Sequence, residues 1–328
     1  MDWRRLAPTV GLMALAPWAA ECSWGGNTLD AFVPVVLVLA PMYGGAAVLI
    51  RETARRTGGG WPAIVLLAAA FGVIQAGLVD QSLFNPGYLD DTEYAGMAAA
   101  AGATRVPGLG FSAEQAFDYV GNHIALSICA PTALVESFVG APRRLRPWLG
   151  GRGLAAVAVL YLLGSLFIFT DDAGRKGFLA GPVQLLFAGS VALVLVGAAI
   201  LPRFRRPRAR SSGRAPHPIL VGLVALGAHL ASSPASGWPA IALRAGAAAV
   251  AATVIVAWSR RAGWGQRHVL AAWSAGLLVA AGQAYAVPNY EPASPAAALV
   301  ADIAVSVVVV ALVAGAFWRL RGPAPAYP

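Results

Sequence analysis

The sequence predicts an all-α integral membrane protein with about ten transmembrane helices and both termini cytoplasmic. Three observations predict it. Hydrophobic residues make up 58% of the 328-residue chain and charged residues 12%, against about 45–50% and about 25% in soluble domains. Ten apolar segments recur along the chain. The arginines between them alternate from one connection to the next.

The segments run over residues 6–20, 31–50, 61–79, 117–139, 153–170, 178–201, 218–236, 240–258, 268–287 and 296–318. A span takes roughly 20 mostly apolar residues. The first segment is short and holds Pro8 and Pro17. It reads as a retained span, because Pro17 and Trp18 interrupt the small residues that a cleavage site needs. Glu21 before Cys22 also excludes a lipoprotein site. The seventh segment ends in the breaker-rich ASSPASGWP. Cys22 and Cys129 set up neither a disulfide framework nor a metal spacing.

Orientation follows from charge. Short cytoplasmic loops are enriched in Lys and Arg. With the N-terminus inside, the inner segments hold Arg4 and Arg5; Arg51, Arg55 and Arg56; Arg143, Arg144, Arg146 and Arg152; Arg203, Arg205, Arg206, Arg208, Arg210 and Arg214; Arg260, Arg261 and Arg267; and Arg319 and Arg321. That is 20 of the 24 basic residues. The run 202–217 reads as a basic cytoplasmic linker between two five-helix halves of one polytopic domain. Its arginines, Arg203 to Arg214, would attract the anionic inner leaflet, by about 1 kcal/mol each near the surface. The net charge of +9 is thereby explained without nucleic acid, for which interleaved aromatics and a binding fold are missing. Residues 80–116 form a long external loop, a length that is usually functional or disordered.

The fourth segment is the unusual one. FDYVGNHIALSICAPTALVESFV carries Asn122, His123, Ser127, Thr132 and Glu136, plus Pro131. Polar groups inside a membrane are costly and point by default to a functional site. His123 and Ser127, four apart, share a stripe. Glu136 reads as an interfacial carboxylate paired with Arg143 or Arg144. Counted inward from the outer boundary, Gln75, Asn122, His123, Arg244, Gln283 and Asp302 fall in the outer half, with His229 near the middle. Together with Ser127 they suggest an outward-facing polar cavity. Arg244 and Asp302 are the expected ion pair within it. Gly121–Ser127 and Gly227–Ser233 echo one another, as inverted repeats of transporters do.

No HExxH, P-loop or GxSxG motif is present. The run Arg51-Glu52-Thr53-Ala54-Arg55-Arg56 resembles the EExxxR element of CPBP-type intramembrane proteases. It lacks the paired glutamates and sits at a helix end, so the likeness transfers no activity. Neither a cofactor nor a metal is expected. Three functions fit the residues: a permease-like protein handling a small solute or proton, a non-catalytic membrane partner or assembly subunit, and an intramembrane hydrolase using His123 with an acid. The expected location is the cell membrane, with the bilayer as first partner and a protein partner as the second.

Overall fold

A computed structural model describes residues 3–202, 211–231 and 237–321. Arg203–Arg210 of the basic linker, the breaker-rich residues 232–236 and both chain ends lie outside it. The described residues are helical throughout their regular elements and form no strand.

Helix α1, Trp3–Pro17, runs into a π-turn at Trp18–Cys22. Helix α2, Leu29–Thr57, and helix α3, Gly60–Val79, follow. A short helix α4, Ala95–Ala101, interrupts the next connection. Helix α5 is continuous over residues 113–138, with a π-helical stretch at His123–Cys129. Helix α6 is the single turn Ala141–Arg144. Then come α7 Gly151–Phe169, α8 Pro182–Ala199, α9 Pro218–Leu230, α10 Gly237–Trp258, α11 Gln266–Ala286 and α12 Pro295–Arg319.

Seven of these helices are long and apolar enough to cross a membrane: α2, α3, α7, α8, α10, α11 and α12. The other three predicted segments are helical but do not meet both conditions. Helix α9 has 13 residues, or about 20 Å of helix, against a hydrocarbon core of about 30 Å. Helix α5 is long enough, but Glu114, Asp118, His123 and Glu136 dilute its apolar character.

Helix α5 is the hub. It packs against α1, α2, α3, α10, α11 and α12, and every residue from Leu126 to Ser137 is buried. This is how the chain tolerates so polar a helix: the polar groups meet protein. Helices α7, α8, α10 and α12 show the complement. They expose Leu162, Leu186, Leu193, Val250 and Val307, among others, as a lipid-facing surface does. The connection 80–112 is ordered. Asn85 Nδ2 donates to the Arg175 carbonyl at 2.9 Å, the Ala180 amide to Gln81 Oε1 at 2.7 Å, and Gln184 Nε2 to the Leu109 carbonyl at 2.8 Å. Past Arg210, the chain pairs with the turn after α10, Ser211 N to the Arg260 carbonyl and Ala215 N to the Ala262 carbonyl.

Small residues set the closest approaches. At Gly44 in α2, a Cβ would stand 2.4 Å from the Met13 carbonyl oxygen of α1. Backbone cannot yield as a side-chain tip does, so Gly44→Ala should destabilise the protein by about 1–3 kcal/mol. Gly121→Ala, in α5 with open space around it, should be neutral or gain about 0.5–1 kcal/mol from helix propensity. Thermal melts of the two purified variants test the contrast. Equal melting temperatures would show that the α1–α2 contact is loose.

Candidate functional site

Two polar clusters lie inside the bundle, one at each end of α3. The first is at the Arg51 end. Arg51, Glu52 and Glu136 are all fully buried. Arg51 reaches Glu52 at 2.6 Å and Glu136 at 3.1 Å. Arg55 grips Glu136 with two bonds, at 2.9 and 2.6 Å. The Glu52 carboxylate accepts the Trp148 and Leu149 amides at 2.8 and 3.2 Å, and Arg56 at 3.1 Å. The Arg51 guanidinium also lies over the Trp148 ring, 3.5 Å from its centre, and donates to the Arg144 carbonyl at 2.6 Å.

This arrangement corrects the expected partner of Glu136. Its carboxylate is held by Arg51 and Arg55, while Arg144 donates to the Glu136 carbonyl oxygen at 2.7 Å. The buried arginine a turn and a half before the helix end outcompetes the loop arginines because it is already desolvated. The protease-like run Arg51–Arg56 thus anchors the 144–149 loop, and each of its charged groups has partners. It is a clamp with no room for a substrate.

The second cluster lies toward the Asp80 end and is built differently. Four π-turns converge there: Trp18–Cys22, Ala40–Gly44, Gln75–Val79 and His123–Cys129. π-turns are rare and often sit at functional sites. Prolines favour three of them. Pro17 precedes the first, Pro41 lies in the second and Pro131 follows the fourth. A proline removes a backbone donor and crowds the carbonyl four residues back, which widening the turn relieves.

The widened turns present Glu21, Tyr43, Gln75 and His123. The Tyr43 hydroxyl donates to Glu21 Oε1 at 2.6 Å. Gln75 Nε2 donates to Asp80 Oδ2 at 3.2 Å, and the Ser82 amide to Oδ1 at 2.8 Å. The His123 ring lies 5.5 Å from Tyr43 and 5.3 Å from Phe71, centre to centre, with Nδ1 3.1 Å from Ser127 Oγ. Gly72 admits this contact, since a Cβ there would be 3.1 Å from that of His123. Above Glu21, Trp24 packs edge to face on Tyr94 and Tyr290 at 5.8 and 5.3 Å, and the two tyrosine rings are tilted against each other at 5.3 Å. Backbone bonds from Tyr290 to Gly26 and from Glu93 to Tyr290 tie their three loops together.

The potential here is negative. Asp80 raises the Tyr88 phenol above its ordinary value, with burial and Glu21 adding to it. Burial first, then Glu21, raises Tyr290. Burial pushes the Asp80 carboxyl up to about 6, against hydrogen bonds from Ser82 and Gln75 that favour its charged form. Glu21, Asp80, Tyr88, Tyr119, His123 and Tyr290 are nonetheless each partly accessible, so the cluster reaches the protein surface. Of six buried polar atoms left without a partner among the described residues, two belong here: Gln75 Oε1 and the Tyr119 hydroxyl.

The eight residues expected to line one cavity divide. Gln75, His123 and Ser127 belong to this cluster. Asn122, His229 and Gln283 are exposed; His229 lies against Gly276 of α11. Arg244 does not pair with Asp302. It forms its ion pair with Asp118 and covers the Phe117 ring at 4.7 Å. Asp118 lies on α5, against which α10 packs, whereas Asp302 sits on α12, beside Tyr285. Equal depth does not imply equal azimuth. The sequence reading missed Glu21, Tyr43, Asp80, Tyr88, Tyr119 and Tyr290. The prolines at the π-turns were the available signal for the first two. No protein-family model matches the chain, and neither a curated protein nor a solved structure shows significant similarity to it.

Two outcomes are expected. Glu136→Gln leaves Arg51 buried with its charge poorly matched, a loss of about 3–5 kcal/mol, so its folded yield should collapse while that of exposed Glu93→Gln does not. For Asp80, a raised value favours the protonated form in the folded state. Its contribution is therefore fully present below the ordinary 3.8 and is lost as pH rises through about 6. Melting curves of Asp80→Asn should lack this part of the decline. An unchanged slope would mean that Asp80 is solvated.

Proposed function

We propose that the protein is a permease-like multi-pass protein of the cell membrane that admits a small solute from the outer side. The reading takes all ten helical segments as spans, with both termini cytoplasmic. The distribution of 20 of 24 basic residues supports it. In that orientation the clamp lies at the inner face, and the π-turn cluster lines a cleft that opens outward. Arg203 to Arg214 then meet the anionic leaflet.

The observation that carries the reading is the convergence of four π-turns on one partly exposed polar cluster. A bundle that only needed stability would keep regular hydrogen bonding in its four central helices. Here each of the four departs from it where a polar side chain enters the same space. Discontinuous helix geometry around a partly wet site is how membrane proteins expose polar groups to a solute. His123 lies in the same cluster, its ring packed against Tyr43 and Phe71.

The clamp supports the second reading, an assembly subunit whose polar groups only hold helices together. It accounts for Arg51, Glu52 and Glu136 but leaves the cleft without a purpose. The hydrolase reading rests on the His123–Ser127 contact. The His123 ring meets Ser127, Tyr43 and Phe71, and no carboxylate bonds to it among the described residues, so the acid that this reading needs is not beside it.

Both cysteines are buried and unpaired, so a Cys22→Ser, Cys129→Ala background is available. In it, His123→Cys should react with a membrane-impermeant thiol reagent added outside, and Ser137→Cys should not. Ser212→Cys should react only after permeabilisation. A silent His123→Cys in a folded protein overturns the cleft, and external labelling at Ser212→Cys overturns the orientation.

A further inference from the structure

The cleft's chemistry specifies a ligand class. We propose that it binds a small protonated amine, an inference that rests on the cleft reading above.

Charge comes first. The two carboxylates, Glu21 and Asp80, act on one another and on the surrounding tyrosines. The ionisable groups that raise Tyr88 and Tyr290 are Glu21, Asp80, Asp171 and neighbouring phenols, all of them acids. Lys176 reaches the same loop but is held by Asp91 at 2.5 Å and the Gly87 carbonyl at 2.7 Å. Two partly desolvated carboxylates with no counter-ion among the described residues are costly. A cationic ligand relieves that cost and an anion aggravates it.

The lining narrows the class. Tyr43, Tyr88, Tyr119, Tyr290 and Trp24 surround the acids. Aromatic faces attract organic ammonium groups, most strongly when desolvated. A divalent metal is a poorer fit, since no group of three His, Cys, Asp or Glu side chains converges among the described residues.

An independent observation points to a ligand that carries N–H bonds. Gln75 is 1% exposed, and its amide nitrogen is fixed on Asp80. Its Oε1 has no donor. Buried amide oxygens are almost always satisfied. The orphan oxygen sits on the same amide that touches the Asp80 carboxylate. A protonated amine supplies both needs at once, one N–H to Gln75 Oε1 and its charge to Asp80. The Tyr119 hydroxyl, also without a partner, is a further acceptor in the same wall. A quaternary ammonium carries the charge and lacks the donors.

The full-length protein in detergent, or in a nanodisc, can be titrated with benzylamine, benzyltrimethylammonium, benzyl alcohol and benzoate. Intrinsic tryptophan fluorescence and the thermal shift serve as readouts, since a ligand that binds only the folded state raises its melting temperature. Saturable binding is expected for benzylamine, with the quaternary analogue at least tenfold weaker. The alcohol and benzoate should show none at the same concentrations. Asp80→Asn should weaken benzylamine at least tenfold, and Asp172→Asn, an exposed carboxylate outside the cleft, should leave it unchanged. Should Asp80→Asn fail to fold, Gln75→Met tests the orphan oxygen instead, by removing the preference for benzylamine over its quaternary analogue.

Equal binding of benzoate or benzyl alcohol overturns the proposal. So does the absence of saturable benzylamine binding. If His123→Cys still labels from outside in that case, the cleft stands and only its amine specificity falls. If labelling also fails, the cleft itself is refuted.

Discussion

The Glu136 carboxylate, sealed from water and shared by Arg51 and Arg55, is the interaction on which the rest of the structure depends. It fixes the azimuth of α5 relative to α2. Leu126 to Ser137 are then buried on all sides, and His123 faces Tyr43 and Phe71. Ionised groups at such a place stand only when their partners are complete. Here Glu52 completes Arg51, and the amides of Trp148 and Leu149 complete Glu52. The clamp and the π-turn cluster are therefore two ends of one contact between α2, α3 and α5.

The two ends solve opposite problems. At the Arg51 end each charged group of the clamp has several partners. Toward the Asp80 end the helices give up regular hydrogen bonding, and two buried polar atoms remain without partners. Proteins retain such departures from local consistency mainly where function requires them. The contrast between two polar clusters in one bundle argues more strongly for a site than either would alone.

Much of the fold was legible because it follows from composition. Apolar runs of fixed length and the side on which arginines fall are one-dimensional properties. They located every long helix and marked 117–139 as exceptional. The site was legible only in part. His123 and Gln75 were found by depth, but depth says nothing about which way a helix is turned. Arg244 therefore went to Asp118 rather than Asp302, and Asn122, next to His123, faces outward. A π-turn shifts the azimuth of all that follows it in the helix. Ideal 100° stepping fails across His123–Cys129 for that reason. Glu21 and Asp80 were read as loop acids because the segments seemed to end before them. Glu52 was seen as part of a protease-like run, whereas its oxygens are taken by two backbone amides and two arginines.

Arg51 and Glu136 are 85 residues apart, and Trp148 comes later still. Chains are made from the N-terminus, so Arg51 and Glu52 leave the ribosome long before Glu136 and the Trp148 and Leu149 amides that complete their set of partners. An arginine at the end of α2 can wait in the hydrated headgroup layer while α3, the 80–112 connection and α5 are synthesised. The contact between α2, α5 and the 144–149 loop can close only once residue 149 has appeared. The buried clamp thus imposes a schedule on assembly: the N-terminal third of the protein is delivered early but locked late.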